Sequence, residues 1–365
     1  MPADKHNAAL MPTHGEKAHP LVSVIIVNYN GRHYLEACLR SLLSNNLPPH
    51  EIILVDNAST DDSVSYAQRA FPSVRVICNQ ANLGFGPGCN AAARYARGQY
   101  LAFLNPDTVV KPGWLEALIA ALQADPQAGL ATPKILLLAD PERINTCGNE
   151  VHYTGLTLCR GFGMMYDAFP HLEEVSAVSG AAFAIRRDLF AALGGFDEAF
   201  FLYMEDTDLS WRACLAGYRC LYVPSSIVLH DYTLRFGPLK TFYQERNRYL
   251  MLLKGLRWAT LLILLPALLL AEGVTWAFTL LRDHLHWRNK VRAYRWIAAH
   301  WQEVMRKRRQ VQAQRKVPDR DLLRYCAYRL PYEQLDTSLV GRLAGLVLNP
   351  LFFILHKLAL ALIRW

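Results

Sequence analysis

The sequence predicts an α/β fold: a largely parallel sheet flanked by helices, followed by a C-terminal helical extension of apolar and basic character. Three observations carry this. Strand-like and helix-like segments alternate from residue 21 onward. A polar cluster follows the strands, at 28–30, 56–57 and 105–107. Of the 365 residues, 52% are hydrophobic and 19% charged, enough for a sizeable core and leaning toward the membrane side.

Leu21–Val27 is a continuous β-branched run, as a strand buried on both faces requires. Tyr34–Leu43 carries apolar residues at helical spacing. A second strand is expected over Glu51–Val55, then a helix over Thr60–Ala70 that ends before Pro72. Val74–Cys78 reads as a third strand, Cys89–Ala96 as a helix after a Gly-rich turn, and Gln99–Leu104 as a fourth strand. Pro112 opens a further helix to Leu122. Repeats of this length imply a right-handed, Rossmann-like sheet with ligands at the carboxyl ends of its strands. The pattern is irregular over 134–170. Strand-like Ala177–Ile185 and a helix over Thr207–Ala216 follow, so the second half should complete a mixed sheet.

Residues 1–20 are polar, lack the apolar core of a signal peptide, and are expected to be a disordered leader. Residues 21–255 should form the catalytic domain and 256–365 the extension. The formal charge of +8 implies anionic partners: phosphates, lipid head groups or nucleic acid. Eight scattered cysteines without a CxxC pair argue against a zinc site or a disulfide framework.

Four clusters could carry chemistry. Asn105-Pro106-Asp107 ends a strand on a carboxylate that could hold a divalent cation bridging a nucleoside diphosphate; the alternative is an Asx-type turn. Asn82-Leu83-Gly84-Phe85-Gly86 could offer backbone N–H groups to phosphate or sugar oxygens, or be a plain strand-to-helix turn; it is not the GxGxxG of a dinucleotide site. Tyr203 to Arg212 puts Glu205, Asp206 and Asp208 at a helix start. These acids could complement the dipole, with Asp208 pairing to Arg212, or supply a general base of raised pKa. His230 closes an apolar strand, where it could be a metal ligand or a structural residue.

In order, these motifs resemble family-2 glycosyltransferases of the GT-A fold, in particular the rhamnosyltransferase-like branch. The matching stretches are 22–31, 55–61, 82–86, Phe103-Leu-Asn-Pro-Asp-Thr108, 178–183, Gly194-Gly-Phe-Asp197 and Glu205-Asp206. The resemblance implies an inverting transfer of a sugar, with rhamnose favoured, from a dTDP- or UDP-linked donor to a saccharide or polyprenyl-linked acceptor, as in cell-envelope synthesis. It implies that Tyr29, Asp56, Asn57, Asn82, Gly84, Asn105 and Asp107 serve the donor. Asp107 and His230 would hold Mg²⁺ or Mn²⁺, Asp206 would be the catalytic base, and Gly180, Glu205 and Trp211 would face the acceptor. Position 105 is Asn where the family's motif often begins with Asp, which leaves fewer charged ligands. The alternatives are a nucleotidyltransferase-type enzyme, which would want a basic phosphate loop after the first strand, and a basic membrane- or nucleic-acid-binding protein.

Ala259–Leu281 and Leu343–Ile363 are strongly apolar, interrupted by Pro266 and by Asn349-Pro350. Between Arg282 and Lys316 lie eleven Lys or Arg and two acids. A single crossing from a cytosolic catalytic domain would put that charge outside, against the positive-inside rule. The expectation is instead a pair of half-helices broken at Pro266, dipping into the inner leaflet, with a basic loop on anionic lipid. The protein would then be peripheral or monotopic at the cytoplasmic face of a bacterial inner membrane. The basic run is flanked by apolar segments, which favours lipid over nucleic acid.

Overall fold

Val22–Asn28 (β1) is buried along its whole length and forms the centre of the sheet in the computed structural model. The structure describes residues 21–45, 50–233, 237–282, 286–332 and 339–365, and the expected leader, 1–20, lies outside them. Helix α1 (Arg32–Leu43) leads to β2 (His50–Asp56), and α2 (Ser63–Ala70) to β3 (Arg75–Cys78). All three strands are parallel. Through α3 (Phe85–Ala93) the chain crosses back to β4 (Tyr100–Leu104), which pairs parallel on the other side of β1. Strand order therefore reverses at β1, which opens a crevice at the carboxyl ends of β1 and β4.

The second half adds β5 (Thr108–Val110), α4 (Trp114–Ala124), β6 (Ala128–Leu137), β7 (Ile144–Thr146) and a separate hairpin of β8 (Asn149–Val151) with β9 (Thr157–Cys159). It continues with β10 (Glu173–Val175), β11 (Ala182–Arg186), α5 (Arg187–Ala192), α6 (Glu205–Leu215) and β12 (Arg219–His230). The main sheet reads β10-β12-β6-β11-β4-β1-β2-β3, with β5 on β12 and β7 on β6. Strand β11 runs antiparallel to both β4 and β6, so the sheet is mixed.

Helix α2 begins at Ser63 rather than Thr60, and α4 runs from Trp114 to Ala124, capped by Gly113 rather than opened by Pro112. Three further differences lie nearer the crevice. Helix α3 begins at Phe85, not Cys89, because Pro87 falls in its first turn, where an N–H would have no partner anyway. Helix α6 begins at Glu205, so Asp206 lies in its first turn, and the cap is Met204 in a left-handed conformation. Of the strand expected over Ala177–Ile185, the part before residue 182 leaves the ladder, and the N–H of Gly180 turns to α6.

The C-terminal part is helical: α7 (Pro238–Gly255), α8 (Trp258–Arg282), α9 (Trp287–Ala299), α10 (Trp301–Gln314), α11 (Asp319–Arg324) and α12 (Leu339–Leu362). Two apolar clusters fill the opposite faces of the sheet. A third joins Trp211 and Leu215 of α6 to α7, α8, α10 and α12.

Two expectations for this region are corrected. Pro266 does not break α8, which is continuous over 25 residues. Proline removes one backbone hydrogen bond, and the turns on either side hold the helix, with Leu264, Ala267 and Ala271 buried in the third cluster. The stretch expected as a basic loop forms α9 and α10, and part of its charge turns inward. Lys290 pairs with Glu245 and Glu272, Lys307 with Asp197, and Arg308 donates to the carbonyls of Leu253 and Leu256. Both α8 (Trp258–Leu281) and α12 (Ala344–Leu362) are long and apolar enough to cross a membrane by length and composition.

Candidate functional site

The pairing of β5 with β12 sets Thr108 opposite His230, and this brings Asp107 to the histidine. The His230 Nε2 lies 3.4 Å from Asp107 Oδ1, and that carboxylate oxygen is buried without a hydrogen-bond donor. On the other side of the ring, Nδ1 lies 2.8 Å from Asn145 Oδ1, which can only accept. When Nδ1 donates to that oxygen, Nε2 is the ring atom left to face Asp107. An imidazole nitrogen beside a carboxylate oxygen that lacks a donor is a pair that suits a cation. Among the described residues no group of three or more His, Cys, Asp or Glu could hold a metal. Further ligands would then be neutral oxygens of the chain, a bound diphosphate or water.

The acids of α6 are placed by a strained turn. Tyr203 and Met204 both have positive φ, +67° and +66°, which non-glycine residues rarely adopt. Asn247 of α7 holds them, its amide donating to the carbonyls of Leu202 (3.0 Å) and Tyr203 (2.7 Å). Arg246 donates to the Ala199 carbonyl. Gly84, at φ +85°, packs so closely on the same segment that a Cβ would lie 2.1 Å from the Phe201 carbonyl oxygen.

Four donors surround the Asp206 carboxylate. Oδ2 accepts from Gly180 N (2.6 Å) and Asn149 Nδ2 (3.0 Å), and Oδ1 from Thr207 N (2.7 Å) and Thr207 Oγ1 (3.2 Å). A Cβ at Gly180 would sit 3.1 Å from Oδ2, so the residue there must be small. Burial raises the Asp206 pKa, partly offset by these donors. Neighbouring Glu205 is buried too, and its Oε2 has no partner. Burial first and the Asp206 charge second push Glu205 up to about 8. Asp208 is a structural acid. It accepts from Arg212 Nε at 2.8 Å and pairs with Lys254 at 2.8 Å, while Arg212 also caps the Leu193 and Gly195 carbonyls.

A cavity of about 420 Å³ connects these groups. Asn105, Gly180, Glu205, Asp206 and His230 line it. The other expected donor residues sit outside it at the carboxyl ends of β1 to β3. Tyr29 is half exposed there. Asp56 is buried under Asn28 and Ser59. Asn57 pins the glycine loop by donating to the Gly84 carbonyl at 2.9 Å, and Asn82 Oδ1 accepts from Gly84 N at 3.0 Å. Trp211, expected on the acceptor side, is a correction: it is 1% exposed, on the face of α6 packed against Gly255. One turn beyond Thr207 that face points to the third cluster, away from the cavity. Asn145, Asn149 and Asn247 were not singled out from the sequence. The first two lie in the irregular stretch before 170, where no periodicity marks a side chain as inward.

Comparison with known proteins bears on the family and the fold. The family model described as "Glycosyl transferase family 2" matches residues 23–193. The chain is 30% identical over 237 residues to the N-acetylglucosaminyl-diphospho-decaprenol L-rhamnosyltransferase of Mycobacterium tuberculosis, covering 58% of this chain and 76% of that protein. It is 30% identical over 223 residues to the pre-mycofactocin glycosyltransferase of the same organism, 59% of this chain and 43% of the relative. Among solved structures, GalNAc-T7 with UDP, GalNAc and Mn²⁺ superposes with a TM-score of 0.54 at 22% identity, over 65% of this chain and 48% of that one. Staphylococcus aureus TarS 1–349 with UDP-GlcNAc also gives 0.54, at 16% identity over 93% and 88%. These two likenesses show the shared GT-A fold. With the sheet, the strand-end motifs and the sequence relatives in agreement, this chain belongs to glycosyltransferase family 2.

Proposed function

We propose that the chain moves a sugar, with inversion, from a nucleoside diphosphate donor to a hydroxyl of a lipid-linked saccharide at the cytoplasmic face of a bacterial membrane. The observation that carries this is one cavity, where the strand order reverses, lined by both Asp206 and His230, with Asp107 against the histidine. Tyr29 and Asp56 would line the nucleoside side, and the Gly84 loop the phosphates. Asp107 and His230 would hold Mg²⁺ or Mn²⁺, whose charge would offset that of the departing diphosphate.

Asp206 accepts the proton of the acceptor hydroxyl as its oxygen bonds to the anomeric carbon, on the face opposite the breaking bond to the diphosphate. Glu205 is largely protonated near neutral pH, so of the two acids Asp206 is the one able to accept. The incoming hydroxyl would replace Thr207 Oγ1, the most distant of the four donors. General-base catalysis of this kind contributes on the order of 10²–10⁴-fold. A rhamnose donor and a polyprenyl diphosphate acceptor are favoured by the M. tuberculosis rhamnosyltransferase, whose name carries both.

The membrane part of the proposal rests on the apolar side chains that α8 and α12 leave exposed, among them Leu262, Leu269, Leu346 and Leu358. Lys290, at the start of α9, bonds to Thr275 and Glu272 in the middle of α8. Helix α9 thus lies beside α8 rather than a bilayer thickness away, which supports lying in one leaflet over crossing.

The test is metal dependence. EDTA should abolish donor turnover, Mn²⁺ or Mg²⁺ should restore it, and Asp107→Ala should lose nearly all of it. Full wild-type turnover in chelator would overturn the metal role.

A further inference from the structure

The cavity does not end at the acids of α6. It runs on between α7 and α8 to residues 330–332, and this end is lined by groups that no step of sugar transfer uses. Lys240, Gln244 and Arg248 stand one turn apart along α7 and all line it. Arg248 is 1% exposed. Its Nη2 donates to Glu245 (2.8 Å), Glu272 (2.7 Å) and the Tyr249 hydroxyl (2.9 Å), but Nε and Nη1 have no acceptor. Unsatisfied donors on a buried guanidinium are costly, and native structures rarely keep them without a use. Arg248 and Lys290 share Glu245 and Glu272 as partners, and Lys240 lines the same cavity.

Around these cations the wall is apolar: Val274 and Phe278 of α8 on one side, Leu330 and Tyr332 on the other. The outer face of α8 exposes Leu265, Leu269 and Leu280. An anion seat backed by an apolar channel beneath an apolar helix matches a phosphate ester of a long hydrocarbon chain. Planar, forked donors are the usual partners of phosphate oxygens.

We propose that Arg248, with Lys240 and Gln244, forms the seat for the phosphate or diphosphate of a polyprenyl-linked acceptor. The saccharide then reaches Asp206 and the hydrocarbon leaves along α8. The proposal rests on reading the Asp206 end of the cavity as the acceptor side.

The test uses the full chain in detergent micelles with EDTA present, so that a diphosphate cannot bind through metal at Asp107. Binding of farnesyl diphosphate is compared with that of farnesol and of inorganic pyrophosphate. Farnesyl diphosphate should bind roughly 10-fold or more tighter than either control, and Arg248→Gln should remove that advantage. Arg248→Lys keeps the charge that Glu245 and Glu272 require, and should fold while losing most of the preference. Metal-dependent hydrolysis of the nucleotide sugar, measured separately, should be unchanged in both variants. Pyrophosphate binding as tightly as farnesyl diphosphate would mean a free-phosphate site and overturn the lipid. Equal farnesyl diphosphate affinity in wild type and Arg248→Lys would overturn the seat. Loss of sugar-nucleotide hydrolysis in the wild type would instead strike the enzymatic reading.

Discussion

Asp206 and Glu205 are adjacent in sequence and opposite in situation. Asp206 accepts from four donors, and Glu205 has an oxygen with none. Asp206→Asn keeps the shape but removes the basic oxygen. It should lower kcat roughly 10²-fold or more with donor binding nearly unchanged. Near wild-type transfer by Asp206→Asn, together with a dead Glu205→Gln, would move the base to Glu205 and overturn the assignment to Asp206. The pair also predicts how stability depends on pH. Unfolded, Glu205 titrates at its ordinary 4.5; folded, at about 8. Between those values the folded chain binds the extra proton. Its stabilisation is thus complete below the lower value and lost as pH rises through the upper one. Between about pH 5 and about pH 9 the Tm of wild type should fall more than that of Glu205→Gln. Parallel Tm profiles would refute the raised pKa.

At the scale of elements, the start of α6 depends on α7. Two consecutive left-handed residues, Tyr203 and Met204, persist only where something holds them, and the Asn247 amide donates to both adjoining carbonyls. Asn247→Asp is isosteric but cannot donate. It should be about as damaging as Asn247→Ala, lowering kcat roughly 10-fold or more while leaving the KM for donor near wild type. Wild-type kcat in Asn247→Asp would show that the turn holds itself. Strand ends and helix cores were legible along the chain because each is a local pattern: β-branched runs for β1 and β2, and strand-end clusters at 28–30, 56–57 and 105–107. The start of α6 was not legible, because it is set by a side chain more than forty residues away.

Over the whole molecule, helices α7 to α12 share a core with α6 and are clamped to the catalytic half by buried charge. Asp197 pairs with both Lys254 of α7 and Lys307 of α10, which hold its carboxyl well below the usual range against the upward pull of burial. The Lys316 N–H donates to the Leu215 carbonyl at 2.7 Å. A body joined this way cannot have α9 and α10 across a bilayer from α6. Protease added outside intact spheroplasts should therefore leave residues 286–316 uncut. Cleavage there would mean that α8 crosses.

Much of this site could be read from the chain alone. The order of strands and helices, the strand-end motifs and the acids at 205–208 all rest on neighbours a few residues apart, whose periodicity and chemistry are visible in one dimension. The partners that Asp206 meets could not be read there. Asn149 lies 57 residues from it and Gly180 26. The same holds for Trp211, one turn of helix from the acids yet facing the core, for the unbroken α8, and for the inward turn of Lys290 and Lys307. Each depends on which surfaces meet when the helices pack on the sheet, and a local pattern carries no record of a partner that distant in the chain.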